Sequence, residues 1–193
     1  LSGLFHLILP LFMYLGPMKF EYRIQEQDYL NFQLYTATKS ARFEKKKQNG
    51  RYFITICSLI LACYFIYAKD WGMTAYFGLT TAIFFLFYPW YFKWRQKIHY
   101  TKYIRRNYKN LFGRSETLEV KGKTLHLVNS TGDGIIKAAE LDKFIETKTH
   151  FFIEMKSGAS LIIPIHEMAD ATVLRSQINS MKIPVVKALE WKW

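Results

Sequence analysis

Histidine, cysteine and carboxylate side chains carry most enzyme chemistry, and in this chain they stand apart from one another. Beyond residue 115 the histidines are His126, His150 and His166. None forms an i, i+4 pair or stands beside a cysteine, so a zinc site lacks its ligands. His150 and His166 adjoin turns, where solvated histidines at strand ends are expected. Cys57 and Cys63 are six residues apart, which on a helix puts them on different faces about 9 Å apart along the axis. That spacing supports neither a disulfide nor a metal site, and both read as small apolar side chains. Ser130-Thr131-Gly132-Asp133-Gly134 is rich in glycine but lacks the lysine and the following helix of a phosphate loop, and it reads as a turn. Asp133, Asp142 and Glu146 have no spacing that separates them from carboxylates on a strand surface, so no acid and base pair is expected. These residues predict a protein without catalytic activity, metal or cofactor.

The chemistry that is concentrated here is cationic. Lys39, Arg42, Lys45, Lys46, Lys47 and Arg51 meet one acid, Glu44, over residues 39–51. Lys93, Arg95, Lys97, Lys102, Arg105, Arg106, Lys109 and Arg114 meet none over residues 93–114. The whole chain has 27 Lys and Arg against 15 Asp and Glu, a net charge of +12. Such a balance would suit nucleic acid, but about half of these cations border two apolar runs. Anionic lipid headgroups are the better match, each Lys or Arg beside the membrane contributing about 1 kcal/mol. Nucleic acid is not expected as a partner. The candidate headgroup contacts are Lys45, Lys46, Lys47, Lys102, Arg105, Arg106 and Lys109. For the Lys45-Lys46-Lys47 run taken alone, a solvated flank that fixes orientation is the simpler reading.

The elements that position these cations are the apolar runs Tyr52 to Ala68 and Gly72 to Phe92, separated by Lys69, Asp70 and Trp71. Neither run contains a charge, and each is long enough to cross a hydrocarbon core of about 30 Å. A three-residue connection makes them an antiparallel hairpin spanning residues 51–93, with both flanks on the same side. Lys and Arg next to spans collect on the cytoplasmic side, so both termini are expected in the cytoplasm, with Tyr67, Trp71, Trp90, Tyr91 and Trp94 at the two interfaces. The competing reading, a buried helical hairpin in a soluble protein, would require an unusually long uncharged core.

Leu1 to Gly16 is apolar but broken by Gly3, His6 and Pro10, and it lacks the basic start and cleavage site of a signal peptide. Met18 reads as the natural initiator and residues 1–17 as upstream sequence; an interfacial apolar segment is the alternative. Within residues 18–50, Phe20 to Gln25 alternates like a half-buried strand, and Asp28 to Phe43 follows with a helical period. Residues 94–114 form a basic helix, either lying on the membrane surface or extending the second span, which Pro89 is expected to bend.

From Ser115 the period changes to two. Glu116 to Val120 and Thr124 to Asn129 flank the turn Lys121-Gly122-Lys123. Ile135 to Ala138, Leu141 to Lys148, His150 to Met155 and Ser160 to Ile165 complete six strands, the last confined to an edge or end by Pro164. Glu167 to Met181 is a helix with Ala171, Leu174, Ile178 and Met181 on one stripe. The expected fold is α+β: a two-helix transmembrane hairpin plus, over residues 115–182, a small antiparallel β-barrel or sandwich capped by a C-terminal helix. The strand Phe20 to Gln25 has no local partner for its backbone groups, so it is expected to join the C-terminal sheet. The tail, residues 183–193, is expected to pack on that domain or to touch the membrane.

Several of these segments together resemble one family. Phe20-Glu21-Tyr22-Arg23-Ile24, Asp28-Tyr29-Leu30-Asn31-Phe32, Ser40, the hairpin, Leu141-Asp142-Lys143-Phe144-Ile145-Glu146-Thr147, Phe151-Phe152-Ile153 and Leu161-Ile162-Ile163-Pro164 are similar, in that order, to the YcxB-like bacterial membrane proteins. Ile165 and His166 stand where that pattern leads one to expect a basic pair. The resemblance implies a cytoplasmic pleckstrin-homology-like (PH-like) domain on the hairpin and implies no enzyme activity. The residues and the thin site chemistry together leave two expectations. One is a non-catalytic, membrane-anchored interaction or scaffold protein of the bacterial cytoplasmic membrane, binding a protein partner or a second copy of itself. The other is a protein responsive to anionic lipid or envelope stress, with immunity to an antimicrobial peptide as a variant.

Overall fold

The computed structural model describes residues 18–129, 132–168 and 170–193. The expectations for residues 1–17, and for the Ser130 and Thr131 part of the second turn, lie outside the described residues. The chain divides into two compact units, one of residues up to Asp28 with Asn110–Lys192, the other of Tyr29–Lys109 with Trp193.

The first unit holds two four-stranded sheets. In one, β1 (Met18–Arg23), β2 (Ser115–Lys121), β3 (Thr124–Asn129) and β4 (Gly132–Lys137) lie in that order, all antiparallel. The orphan strand therefore has the partner its alternation required, with Phe20 opposite Leu118 and Tyr22 opposite Glu116. Its paired stretch begins two residues earlier than the alternation suggested. One face of this sheet carries the buried Tyr22, Leu118, Val120 and Leu125. Gly122, at φ 57°, supplies the left-handed conformation that the β2–β3 turn requires.

The second sheet has the order β7 (Ser160–Pro164), β6 (His150–Met155), β5 (Leu141–Glu146) and β8 (Val185–Lys187). Pro164 ends the edge strand β7, as its missing N–H demands. Both faces of this sheet are covered, because Phe151, Phe152 and Ile153 are consecutive and all fully buried. A closed barrel does not form. The second edge of β5 is taken by β8, in parallel, with Phe144 opposite Val185, and among the described residues β4 pairs with β3 alone. The tail, left open between two placements by its sequence, thus contributes a strand through Val185–Lys187.

The C-terminal helix is shorter than the stripe suggested. Residues Ile165–Glu167 form a 3-10 turn, and the helix runs Ala171–Ser180 because Asp170 caps it, accepting from the Thr172 N–H at 2.9 Å. Its Leu174 and Ile178 are fully buried.

The second unit is helical. The first helix, α1 (Glu26–Lys39), stops at Ser40, whose extended backbone (φ −81°, ψ 120°) separates it from α2 (Ala41–Tyr67). The expected single helix from Asp28 to Phe43 is therefore two, and the basic run is part of the long apolar helix. α3 (Trp71–Tyr108) continues without interruption through Pro89 into the basic segment, so that segment extends the second apolar helix.

A tight reversal joins α2 to α3. Lys69 takes φ 59°, the Asp70 N–H reaches back to the Phe65 carbonyl at 3.0 Å, and the Asp70 carboxylate caps α3 by accepting from the Met73 N–H at 3.0 Å. Between the helices the Ser58 and Thr81 hydroxyls lie 2.7 Å apart, and Phe65 stacks on Phe77 with ring centroids 5.4 Å apart. Away from this seam the helices expose their apolar side chains. In the most apolar 18-residue stretch of each, 11% of α2 and none of α3 is buried. Core helices of a soluble protein bury such surface, so these two are helices long and apolar enough to cross a membrane and exposed enough to meet lipid.

Candidate functional site

The end of the hairpin away from the Lys69–Trp71 turn opens into a groove of about 980 Å³ between α2 and α3. Antiparallel helices of equal rise bring residues equally far from the turn to the same level, so the groove is graded along its length. Nearer the turn it is aromatic, lined by Phe53, Tyr88, Tyr91 and Phe92. Farther out it is cationic and polar, lined by Arg42, Lys45, Lys46, Asn49, Arg95, Gln96 and His99. From Phe53 to Arg42, and equally from Tyr88 to His99, the helix rises about 16 Å.

Local packing keeps this groove open. Gly50 lies on its floor, where a Cβ would collide with the Tyr88 hydroxyl and sit 2.9 Å from the ring carbon Cζ. The Tyr88 ring is itself held by stacking on Phe92, with centroids 6.1 Å apart. Phe92 is buried with Phe43 and Ala37, and Trp193 packs against the same cluster. Nearby, the Arg51 guanidinium lies over the Phe85 ring at 3.6 Å, an arrangement that keeps one cation beside an apolar segment without a carboxylate.

The groove cations are uncompensated. Among the described residues no ion pair involves Arg42, Lys45, Lys46 or Arg95. Like charges held together raise the local positive potential and favour an anionic ligand. A second, smaller groove of about 210 Å³ adjoins on α3, lined by His99, Lys102, Tyr103 and Arg106.

The structure thus separates the cations that the sequence placed in one group. Lys45 and Lys46 line the larger groove, and Lys102 and Arg106 line the smaller one. Lys47 turns to Glu44, 2.5 Å away. Arg105 and Lys109 line neither groove. Arg42 and Arg95 were counted among the flanking cations but not as headgroup contacts, and Gln96 and His99 were not singled out. The signal that would have found them is distance from Asp70, because folding the chain back at that residue sets Lys46 near the level of Arg95 and Arg42 near that of His99.

Two carboxylate sites lie in the β-rich unit, and both correct an expectation. His150 is buried, not a solvated strand-end histidine. Its Nε2 is 2.9 Å from Asp28 Oδ1, its Nδ1 is 2.8 Å from Thr149 Oγ1, and its ring stacks on Phe152. Asp28, equally buried, also accepts from the Gln25 N–H at 2.7 Å. Burial alone would raise its pKa, but the hydrogen bonds from His150 and Gln25 outweigh this and hold the carboxyl below its ordinary range. An ionised Asp28 only accepts, so the His150 Nε2 carries a proton. Neither groove reaches this cluster, whose hydrogen bonds hold Asp28 to His150 of β6 within the first unit.

Glu146 is likewise buried rather than displayed on a strand surface. Its Oε1 accepts from Arg175 Nε at 3.0 Å and from Arg175 Nη2, and the guanidinium lies over Phe151. This pair ties the C-terminal helix to β5. Glu116, opposite Tyr22, has its pKa raised by burial, with the Tyr22 hydroxyl opposing the shift through a hydrogen bond at 3.4 Å.

Comparison of the chain with protein-family models, with curated proteins and with solved structures gives no match.

Proposed function

We propose that this chain is a non-catalytic, two-span protein of the bacterial cytoplasmic membrane that responds to anionic lipid, with both ends of its hairpin on the cytoplasmic side. The observation that carries the reading is the graded groove. Unpaired cations and ring faces succeed one another over about 16 Å, the order in which a phospholipid presents its phosphate and the start of its acyl chains. Basic pockets between membrane helices on the cytoplasmic side suit anionic headgroups. The flanking charge supports the orientation, and the resemblance to the YcxB-like family supports a PH-like role for the β-rich unit, which would carry the response to a partner.

The test uses the full chain in detergent, titrated with dioleoyl phosphatidylglycerol or dioleoyl phosphatidylcholine and read by native mass spectrometry. Phosphatidylglycerol should be retained preferentially. Lys46→Gln with Arg95→Gln should reduce that retention about tenfold or more, on the basis of about 1 kcal/mol for each charge. Equal retention of the two lipids by the unaltered chain sinks the proposal.

An interaction module, binding a protein or a second copy, is the second reading. It is favoured by β4, which among the described residues is a sheet edge and on which Ile135 is 63% exposed, the kind of edge to which another strand can add.

A further inference from the structure

The two grooves share a wall. His99 lines both, and Arg95, His99, Lys102 and Arg106 follow at i, i+4, i+7 and i+11, one continuous stripe of α3. The smaller groove lies farther from the apolar part of the helix. The step from the level of Arg95 to that of Lys102 is about 10 Å along the axis. It is lined by His99, Lys102, Tyr103 and Arg106, and an acyl chain entering there would start about 10 Å farther from the apolar run than one at Arg95. Lys102 and Arg106 form no ion pair among the described residues. A second anion would thus be met beyond the first phosphate, on the side away from the hydrocarbon.

Building on the lipid reading above, we propose that the preferred ligand is a phospholipid whose headgroup carries a second, terminal phosphate, the diester phosphate seated by Lys46 and Arg95 and the terminal phosphate by Lys102 and Arg106. A lipid with two chain-bearing phosphates at one depth does not fit, because the outer groove would strand one pair of chains outside the membrane. A diphosphate, with its two phosphorus atoms adjacent, leaves the outer groove empty. The geometry selects a headgroup that projects outward as a spacer between two separate phosphates.

The probes are dioleoyl phosphatidylinositol and dioleoyl phosphatidylinositol 4-phosphate, which differ only in the terminal phosphate, titrated onto the full chain in detergent. The unaltered chain should bind the phosphorylated lipid on the order of tenfold more tightly. Lys102→Gln with Arg106→Gln should abolish that advantage, weakening the phosphorylated lipid by a much larger factor than phosphatidylinositol, with helical content by circular dichroism as the control for folding. Lys46→Gln with Arg95→Gln should weaken both lipids. Equal affinity for the two lipids, or an advantage that survives the outer-groove substitutions, overturns this inference while leaving the anionic-lipid reading intact. Failure of either lipid to bind better than phosphatidylcholine overturns both. Binding of soluble inositol 1,4-bisphosphate as tightly as the phosphorylated lipid would assign the site to a free metabolite and overturn the lipid source.

Discussion

Asp28 and His150 stand 122 positions apart in the chain and meet in the interior, so each is a check on the other. Replacing His150 by Leu removes a hydrogen bond to a charged group, a loss of about 1.5–3 kcal/mol. The pH dependence follows from the Asp28 carboxyl, whose pKa lies below the ordinary 3.8 in the folded chain. Its contribution to stability is complete above that ordinary value and is lost as pH falls through the lowered one. The protection of the β6 amides in the full chain, taken relative to the intrinsic exchange rate at each pH, should therefore fall below about pH 4, and this acid limb should weaken or vanish in His150→Leu. An unchanged limb would move the responsibility to another carboxylate. Glu116 acts with the opposite sign, since a raised carboxyl pKa costs stability as pH rises from the ordinary value through the shifted one. Glu116→Gln should remove that cost at pH above the shifted pKa, seen as slower exchange in β2 than in the unaltered chain at the same pH. At the groove, Gly50→Leu should displace Tyr88 and fill the floor, reducing lipid retention while leaving the Ser58–Thr81 seam and the helical content intact.

Among the elements, β1 is the one whose partner is far away in sequence. Without it, β2 becomes a sheet edge with unpaired backbone groups, and the sheet loses the fully buried Tyr22. A fragment beginning at Ser115 should aggregate, and fusing residues 18–43 to it should restore a monomer with cooperative unfolding, as size-exclusion chromatography and thermal melts would report. A folded monomer without β1 would count against this dependence. The strand was legible because its alternation demanded a partner that no neighbour supplied. The β2–β3 hairpin was legible too, through Gly122. β8 was not, since Val185–Lys187 is too short to display a period of two and follows Pro184. It is held instead by bonds the sequence does not advertise, from the Phe144 N–H to the Pro184 carbonyl at 2.9 Å and from the Ala188 N–H to the Glu146 carbonyl at 2.7 Å. Without β8 the expectation stayed open between a barrel and a sandwich. The groove was half legible for a related reason. The basic residues could be counted, but which of them share a cleft depends on the level at which two helices meet. Burial of His150 and Glu146 depends on partners far away in the chain, Asp28 and Arg175, and no local pattern announces such pairs.

At the scale of the whole molecule, what decides the reading is whether the apolar faces of α2 and α3 meet lipid. A reporter before Met18 and one after Trp193 should both read cytoplasmic, and a cysteine at Asp70 should be labelled from outside intact cells. Ends on opposite sides would exclude the hairpin topology. Ile60 provides a sharper discrimination, because it is 63% exposed and lies away from the Ser58–Thr81 seam. In water, replacing an exposed isoleucine of this kind changes stability by about 0.5 kcal/mol or less, and arginine would be welcome there. At the centre of a membrane span the same substitution costs roughly 2.5–3.5 kcal/mol on the insertion scale. Ile60→Arg should therefore lower the fraction of chains that resist alkaline extraction from membranes, whereas Ile60→Leu should not. If Ile60→Arg is as firmly membrane-integrated as the unaltered chain, the exposed apolar faces are not lipid-facing, and the groove loses the bilayer that would present its ligand.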